Sequence, residues 1–159
     1  MLLALIVVNL VSNCASPSTK TETSPQPQSV NELPEITVTT LDGSKVEVDE
    51  LKGKNILILF QTECDHCQRE AQEIRKHIEE FKDYNLYFIS ADQWPAIGKF
   101  AKDYDLANHA NVYFAFTTVQ NVLDYFGSIP SPSVYIYVDQ RLVQKFNGEV
   151  PIEKILQAI

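Results

Sequence analysis

Two rhythms of apolar residues alternate along this chain, and together they predict an α/β domain. Ile56–Phe60 is continuously apolar, as a strand covered on both faces should be, and Leu86–Ser90 repeats the pattern. Between them the stretch Gln68–Phe81 carries Ala71, Ile74, Ile78 and Phe81 at helical spacing. Val46–Val48 alternates as a short strand after the Asp42-Gly43 turn signal. Trp94–Tyr104 reads as a helix entered through Pro95, Asn111–Phe116 as a strand and Val119–Phe126 as a helix. Val134–Val138, Leu142–Phe146 and Ile152–Ile159 follow as strand, strand and helix, with Asp139-Gln140 short enough for a hairpin. The expected fold class is α/β, a mixed central β-sheet flanked by helices.

Composition changes the picture at one end only. Residues 33–159 have the size of a single domain with one core. Ala15–Val30 contains three prolines, many Ser and Thr and almost no apolar side chains, so it cannot offset the entropy of ordering and is expected to be a flexible tether. The net charge of −8 argues against a nucleic-acid partner, which would need clustered Lys and Arg. No repeat and no Gly-rich phosphate loop is present.

The chemistry is concentrated in Cys64-Asp65-His66-Cys67, between the first buried strand and the helix after it. A strand that delivers a CxxC into the first turn of a helix places the first sulfur among unpaired N–H groups at the positive end of the helix dipole, which favours thiolate. The second sulfur, one turn on, is placed to close a disulfide. A structural zinc site would need two further ligands, and His77, His109 and Cys14 offer no second pair. No cofactor and no metal is expected.

Met1–Val8 is apolar and the segment ends at Val11-Ser12-Asn13-Cys14, which resembles a bacterial lipoprotein signal. Asn13 departs from the small residue usual before the cysteine, and no Lys or Arg precedes the apolar run. The resemblance implies a signal over residues 1–13, a lipid on Cys14 and a tether over 14–32. The domain would then sit in the bacterial cell envelope facing the periplasm, held to the membrane by a lipid anchor, with two thiols left to the CxxC.

From Leu33 onward the chain resembles the thioredoxin fold, and within it the TlpA-like or ResA-like redoxins. The resemblance rests on Leu41-Asp42-Gly43, Leu51-Lys52-Gly53-Lys54-Asn55, Phe60 before Cys64-Asp65-His66-Cys67, Glu70, Ser131-Pro132-Ser133 and Phe146-Asn147-Gly148. It implies a thiol-disulfide oxidoreductase acting on protein thiols and disulfides, recharged by a membrane-bound electron donor. It further implies a cis-proline beside the disulfide, at Pro132 with Pro130 as rival, and a carboxylate at Glu70 that exchanges the proton of the buried sulfur. An exposed surface glutamate is the other reading of Glu70.

Relatives carry Trp where this chain has Glu63. Glu63 and Asp65 put negative charge beside Cys64 and should disfavour its thiolate, whereas a protonated His66 would favour it. Two other functions use the same fold. Peroxiredoxins hold peroxide with a Thr three residues before the attacking cysteine, where this chain has Gln61, with Thr62 one residue off register. Sco-like copper chaperones place three residues between their cysteines rather than two, and His109 is the histidine this chain would have to supply.

Overall fold

The computed structural model describes residues 32–159. Seven strands and four α-helices follow in the order β1 (Thr37–Thr40), β2 (Lys45–Glu47), β3 (Lys54–Leu59), α1 (Asp65–Lys76), β4 (Asn85–Ser90), α2 (Trp94–Asp103), β5 (Val112–Phe116), α3 (Val119–Phe126), β6 (Ser133–Val138), β7 (Arg141–Asn147) and α4 (Ile152–Leu156). The strands form one sheet in the order β2-β1-β5-β4-β3-β6-β7. The β3–β4 and β4–β5 pairs are parallel and the remaining pairs are antiparallel, so the sheet is mixed, as expected.

The apolar runs have their reason in two cores, one on each face. Ile56, Ile58 and Phe60 point to one face with Phe88 and Ile136, where Ala71 and Ile74 of α1, Ile97 and Phe100 of α2 and Ile155 of α4 cover them. Leu57 and Leu59 point to the other with Tyr87, Ile89 and Tyr135, under Phe126 of α3 and Val38 and Val48. The parallel strands at the sheet's centre have no solvent face, so alternation vanishes from their sequence.

The departures from expectation are local. Strand β1 was not foreseen: its Thr-Val-Thr-Thr reads as polar, and it is held by pairing with β2 and β5. Val48 is no longer strand but opens a 3₁₀ turn, Val48–Glu50, as its N–H reaches back to Ile36 O. The long helix divides at His77 (φ −109°, ψ 23°), and Ile78–Phe81 continues as a 3₁₀ turn that still buries Ile78 and Phe81. Asn111 Nδ2 fixes that turn by donating to Phe81 O and Tyr84 O at 3.0 and 2.9 Å. The last helix stops at Leu156, three residues short of the expected end. At the β6–β7 hairpin Asp139 and Gln140 both take positive φ (48° and 70°), the pattern of a type I′ turn, and Gln140 Nε2 anchors it on Asp49 O at 2.8 Å.

Phe60 packs against Phe88, Phe100 and Phe114 with ring centroids 5.9, 4.7 and 6.0 Å away, directly before the CxxC loop. Phe60→Ala should cost about 3–5 kcal/mol, as large cavities in aromatic cores do. Urea unfolding followed by far-UV circular dichroism measures it, and a loss under about 1 kcal/mol would mean that the cluster collapses onto the gap.

Candidate active site

The loop that carries the sulfurs is held from the neighbouring strand. Phe60 N–H donates to Ile89 O, extending the β3–β4 pairing by one residue. Asp92, just past the end of β4, then takes both Thr62 N–H (2.6 Å) and Thr62 Oγ1–H (2.9 Å) on its Oδ2. Gln68 Nε2 of α1 donates to Thr62 O at 3.1 Å, so the polar groups of Thr62 are all engaged. Neither Asp92 nor Gln68 was anticipated. The available signal was an Asp two residues beyond a parallel strand that ends level with the strand feeding the CxxC.

Cys64 is the N-cap of α1 without a side-chain cap bond, so its partly exposed sulfur lies at the positive end of the helix. Its Sγ–H points at Ser131 O, 3.5 Å away. The Ser131–Pro132 bond is cis, and Pro132 O is taken by Gly148 N–H at 2.8 Å. Ser131, rather than Pro132, thus supplies the backbone oxygen at the sulfur. Ser133 Oγ–H closes the turn on Pro130 O at 2.7 Å.

Cys67 and Glu70 lie beneath, one helical turn apart. Cys67 is 2% exposed and packs in the core, and burial pushes its thiol far up, with Cys64 and Glu70 adding smaller pushes in the same direction. Glu70 is 3% exposed, which excludes the surface reading, and neither carboxylate oxygen has a hydrogen-bond partner. Burial first, and the charge of Glu149 second, push its carboxyl from 4.5 up to about 8. Both buried groups are therefore neutral at pH 7.

Glu63 and Asp65 are exposed, while His66 is not free. His66 Nδ1 is 2.5 Å from Glu149 Oε2 and 2.7 Å from Arg69 Nη2. Arg69 also grips Glu149 with both nitrogens, Nε to Oε1 at 2.9 Å and Nη2 to Oε2 at 2.7 Å. These contacts, Arg69 first and His66 second, hold the Glu149 carboxyl down at about 2. A groove of about 210 Å³ leads away from Gln61 and Ser131 towards Val119, Leu123 and Ile129. Val119 and Leu123 are 62% and 49% exposed there, unusual for apolar side chains.

His109 lies in the loop before β5, and among the described residues no three His, Cys, Asp or Glu side chains converge to hold a metal ion. Cys14 lies outside the described residues.

With this geometry the chain matches the AhpC/TSA family over residues 30–146. It belongs to that family. Among AhpC/TSA relatives, the thiol-disulfide oxidoreductase ResA of Bacillus thuringiensis subsp. konkukian is 27% identical over 129 residues, covering 78% of this chain and 72% of that protein. A secreted disulfide oxidoreductase of Mycobacterium tuberculosis superposes with a TM-score of 0.67 at 16% identity, over 78% of this chain and 93% of that one. A peroxiredoxin-like protein of Aquifex aeolicus superposes with a TM-score of 0.66 at 14% identity, over 80% and 82%. The fold is thioredoxin-like, α/β with a mixed sheet between helices.

The buried carboxyl gives a pH signature. Between roughly pH 4.5 and pH 8 the unfolded chain has released the Glu70 proton while the folded chain keeps it, so each rise in pH favours unfolding. The slope reaches at most about 1.4 kcal/mol per pH unit. Glu70→Gln should remove this falling slope and leave the protein more stable than wild type at pH 8, while at pH 4 the two should be nearly equal. Urea midpoints across that range test it; parallel pH profiles for the two proteins would show that Glu70 ionises normally.

Proposed function

We propose that this protein is an envelope thiol-disulfide oxidoreductase that reduces disulfides in protein substrates with its Cys64/Cys67 pair. The observation that carries the reading is the vertical arrangement of the two sulfurs, one reachable at a helix N-terminus and one buried beside an unpartnered carboxyl. Likeness to ResA and membership of the AhpC/TSA family support it.

In the reducing direction the Cys64 thiolate attacks a substrate disulfide, an S–S bond forms between Cys64 and the substrate, and the departing substrate sulfur takes up a proton. Cys67 then gives its proton to Glu70 in the ionised form, which a carboxyl titrating at about 8 reaches in a minority of molecules at pH 7, and attacks Cys64 Sγ. The Cys64–Cys67 disulfide forms, the second substrate thiol leaves, and two electrons have passed to the substrate. Glu70 serves because its raised pKa matches the basicity needed to draw a proton from a buried thiol. A membrane-bound dithiol donor reverses the exchange and restores the reduced pair. Ser131 and Pro132 edge the sulfur, and the apolar groove beyond them receives the substrate chain. The reducing direction is favoured by the exposed Glu63 and Asp65 on either side of Cys64, whose negative charge disfavours a thiolate there and with it the reduced form of the pair.

The same proposal covers the address. Residues 1–13 act as signal, Cys14 carries lipid, 14–32 form the tether and 33–159 the catalytic domain facing the periplasm. No helix among the described residues is long and apolar enough to cross a membrane.

Cys67→Ser should trap mixed disulfides between Cys64 and envelope proteins, visible as dithiothreitol-sensitive bands on non-reducing gels. With Glu70→Gln the mixed disulfide should persist about a hundredfold longer than in wild type. The Cys64/Cys67 potential should lie near about −270 mV or below, and a value near about −120 mV would reverse the direction. Radiolabelled palmitate should enter the full chain and not Cys14→Ala; equal labelling of both would remove the anchor from this account.

A further inference from the structure

Glu149 is a residue that the exchange chemistry does not call for. It sits in the loop between β7 and α4, eighty residues from Arg69, and yet it reaches the first two turns of the helix that carries both cysteines. The backbone on one side of it is fixed, since Gly148 N–H donates to Pro132 O at 2.8 Å. The carboxylate on the other side accepts two bonds from Arg69 and contacts His66 Nδ1 at 2.5 Å. One short loop therefore joins the proline edge of the sulfur site to the helix edge.

The contacts at His66 have a definite electrostatic sense. Nδ1 cannot accept from Arg69 and donate to Glu149 at the same moment, so in either state the imidazole lies between a cation and an anion. Side-chain exposures of 62%, 51% and 28% for His66, Arg69 and Glu149 mean that water screens the cluster, and its worth to stability is small. Its effect on a sulfur at the same helix end is a separate matter. Arg69 and a charged His66 would stabilise a thiolate at Cys64; the Arg69 pKa is raised chiefly by its hydrogen bond to Glu149, with Cys64 the smallest of several contributors, so the guanidinium and the sulfur lie within reach of one another's field. Glu63 and Asp65, on either side of Cys64 in the chain, are exposed.

We propose that Glu149 is a positioning residue of the redox site, one that pins His66 and Arg69, offsets their charge and thereby keeps the Cys64/Cys67 pair reducing. The inference rests on the oxidoreductase reading above. In a disulfide equilibrium, whatever stabilises the thiolate stabilises the reduced form and makes the pair more oxidising. Glu149 works in the other direction by cancelling positive charge at the end of α1 where the nucleophile sits.

The full chain, equilibrated in glutathione buffers from pH 7 up to a pH at which thiols ionise and quenched with a thiol-reactive tag, reads the balance directly, and the expected shifts are those at the upper end of the range. Glu149→Gln should shift the equilibrium about threefold towards the dithiol, which is about 14 mV less negative at 29.6 mV per tenfold. Arg69→Gln should shift it about threefold the opposite way. Both variants break the same contact and differ only in the sign of the charge removed, so a loosened loop would move them together. Glu149→Asp, which keeps the charge, should stay near the wild-type value. Two unmoved variants, or two that move in the same direction, would overturn the proposal, and Arg69→Gln gives the answer alone should Glu149→Gln fail to fold. A wild-type chain with no reversible disulfide would instead bring down the oxidoreductase reading and this inference with it.

Discussion

The burial of β3 on both faces is the constraint from which the site follows. Ile56, Ile58 and Phe60 are committed to the core under α1, and Leu57 and Leu59 to the core under α3, so the strand cannot slide by one residue without turning each set into the wrong core. Its parallel neighbour β4 is fixed in the same manner, with Leu59 paired to Ile89. The two strands therefore end level with each other, and what emerges from their carboxyl ends is fixed in height. Asp92 emerges from one and Thr62 from the other, and their short bonds turn a loop into a mount for Cys64.

How much of this could be read in advance follows from what each residue depends on. The buried strands, α3 and the β6–β7 hairpin were legible because local pattern and tertiary role agree. Strand β1 was not, since Thr37–Thr40 lacks an apolar run and becomes strand through partners at Lys45–Glu47 and Phe116. The break at His77 was hidden because Ile78 and Phe81 keep helical spacing whether or not the backbone does, and both remain in the same core. The cysteine pair, Glu70 and Pro132 stood out through motif order. Asp92 and Glu149 carry no motif: one acts across thirty residues and the other across eighty, through strand ends and a loop that no local rule brings together.

Three glutamates near the sulfurs show environment deciding chemistry. Glu63 is exposed, Glu149 is clasped by a guanidinium that keeps it ionised, and Glu70 is sealed in the core with no hydrogen-bond partner among the described residues and keeps its proton to about pH 8. Glu149 also pushes Glu70 upward, so the charge that restrains the nucleophile's end of the helix helps hold a proton one turn deeper. A buried orphan carboxyl is costly to a fold, and its persistence beside an equally buried thiol is better explained by proton exchange between them than by any contribution to stability.

The fold alone does not choose between disulfide exchange and peroxide reduction, since a peroxiredoxin-like structure superposes about as well as a disulfide oxidoreductase does, and the same loop bears on the choice. A hydroxyl that is to hold a peroxide has to be free to donate into the pocket of the attacking sulfur. The only hydroxyl in the loop ahead of Cys64 is that of Thr62, which is 7% exposed and already gives its proton to Asp92 at 2.9 Å. Gln61, at the position three before Cys64, points to solvent. To recruit Thr62 the protein would have to break the bond that mounts the cysteine, so positioning the nucleophile for a protein disulfide and presenting a donor to peroxide are mutually exclusive uses of one side chain.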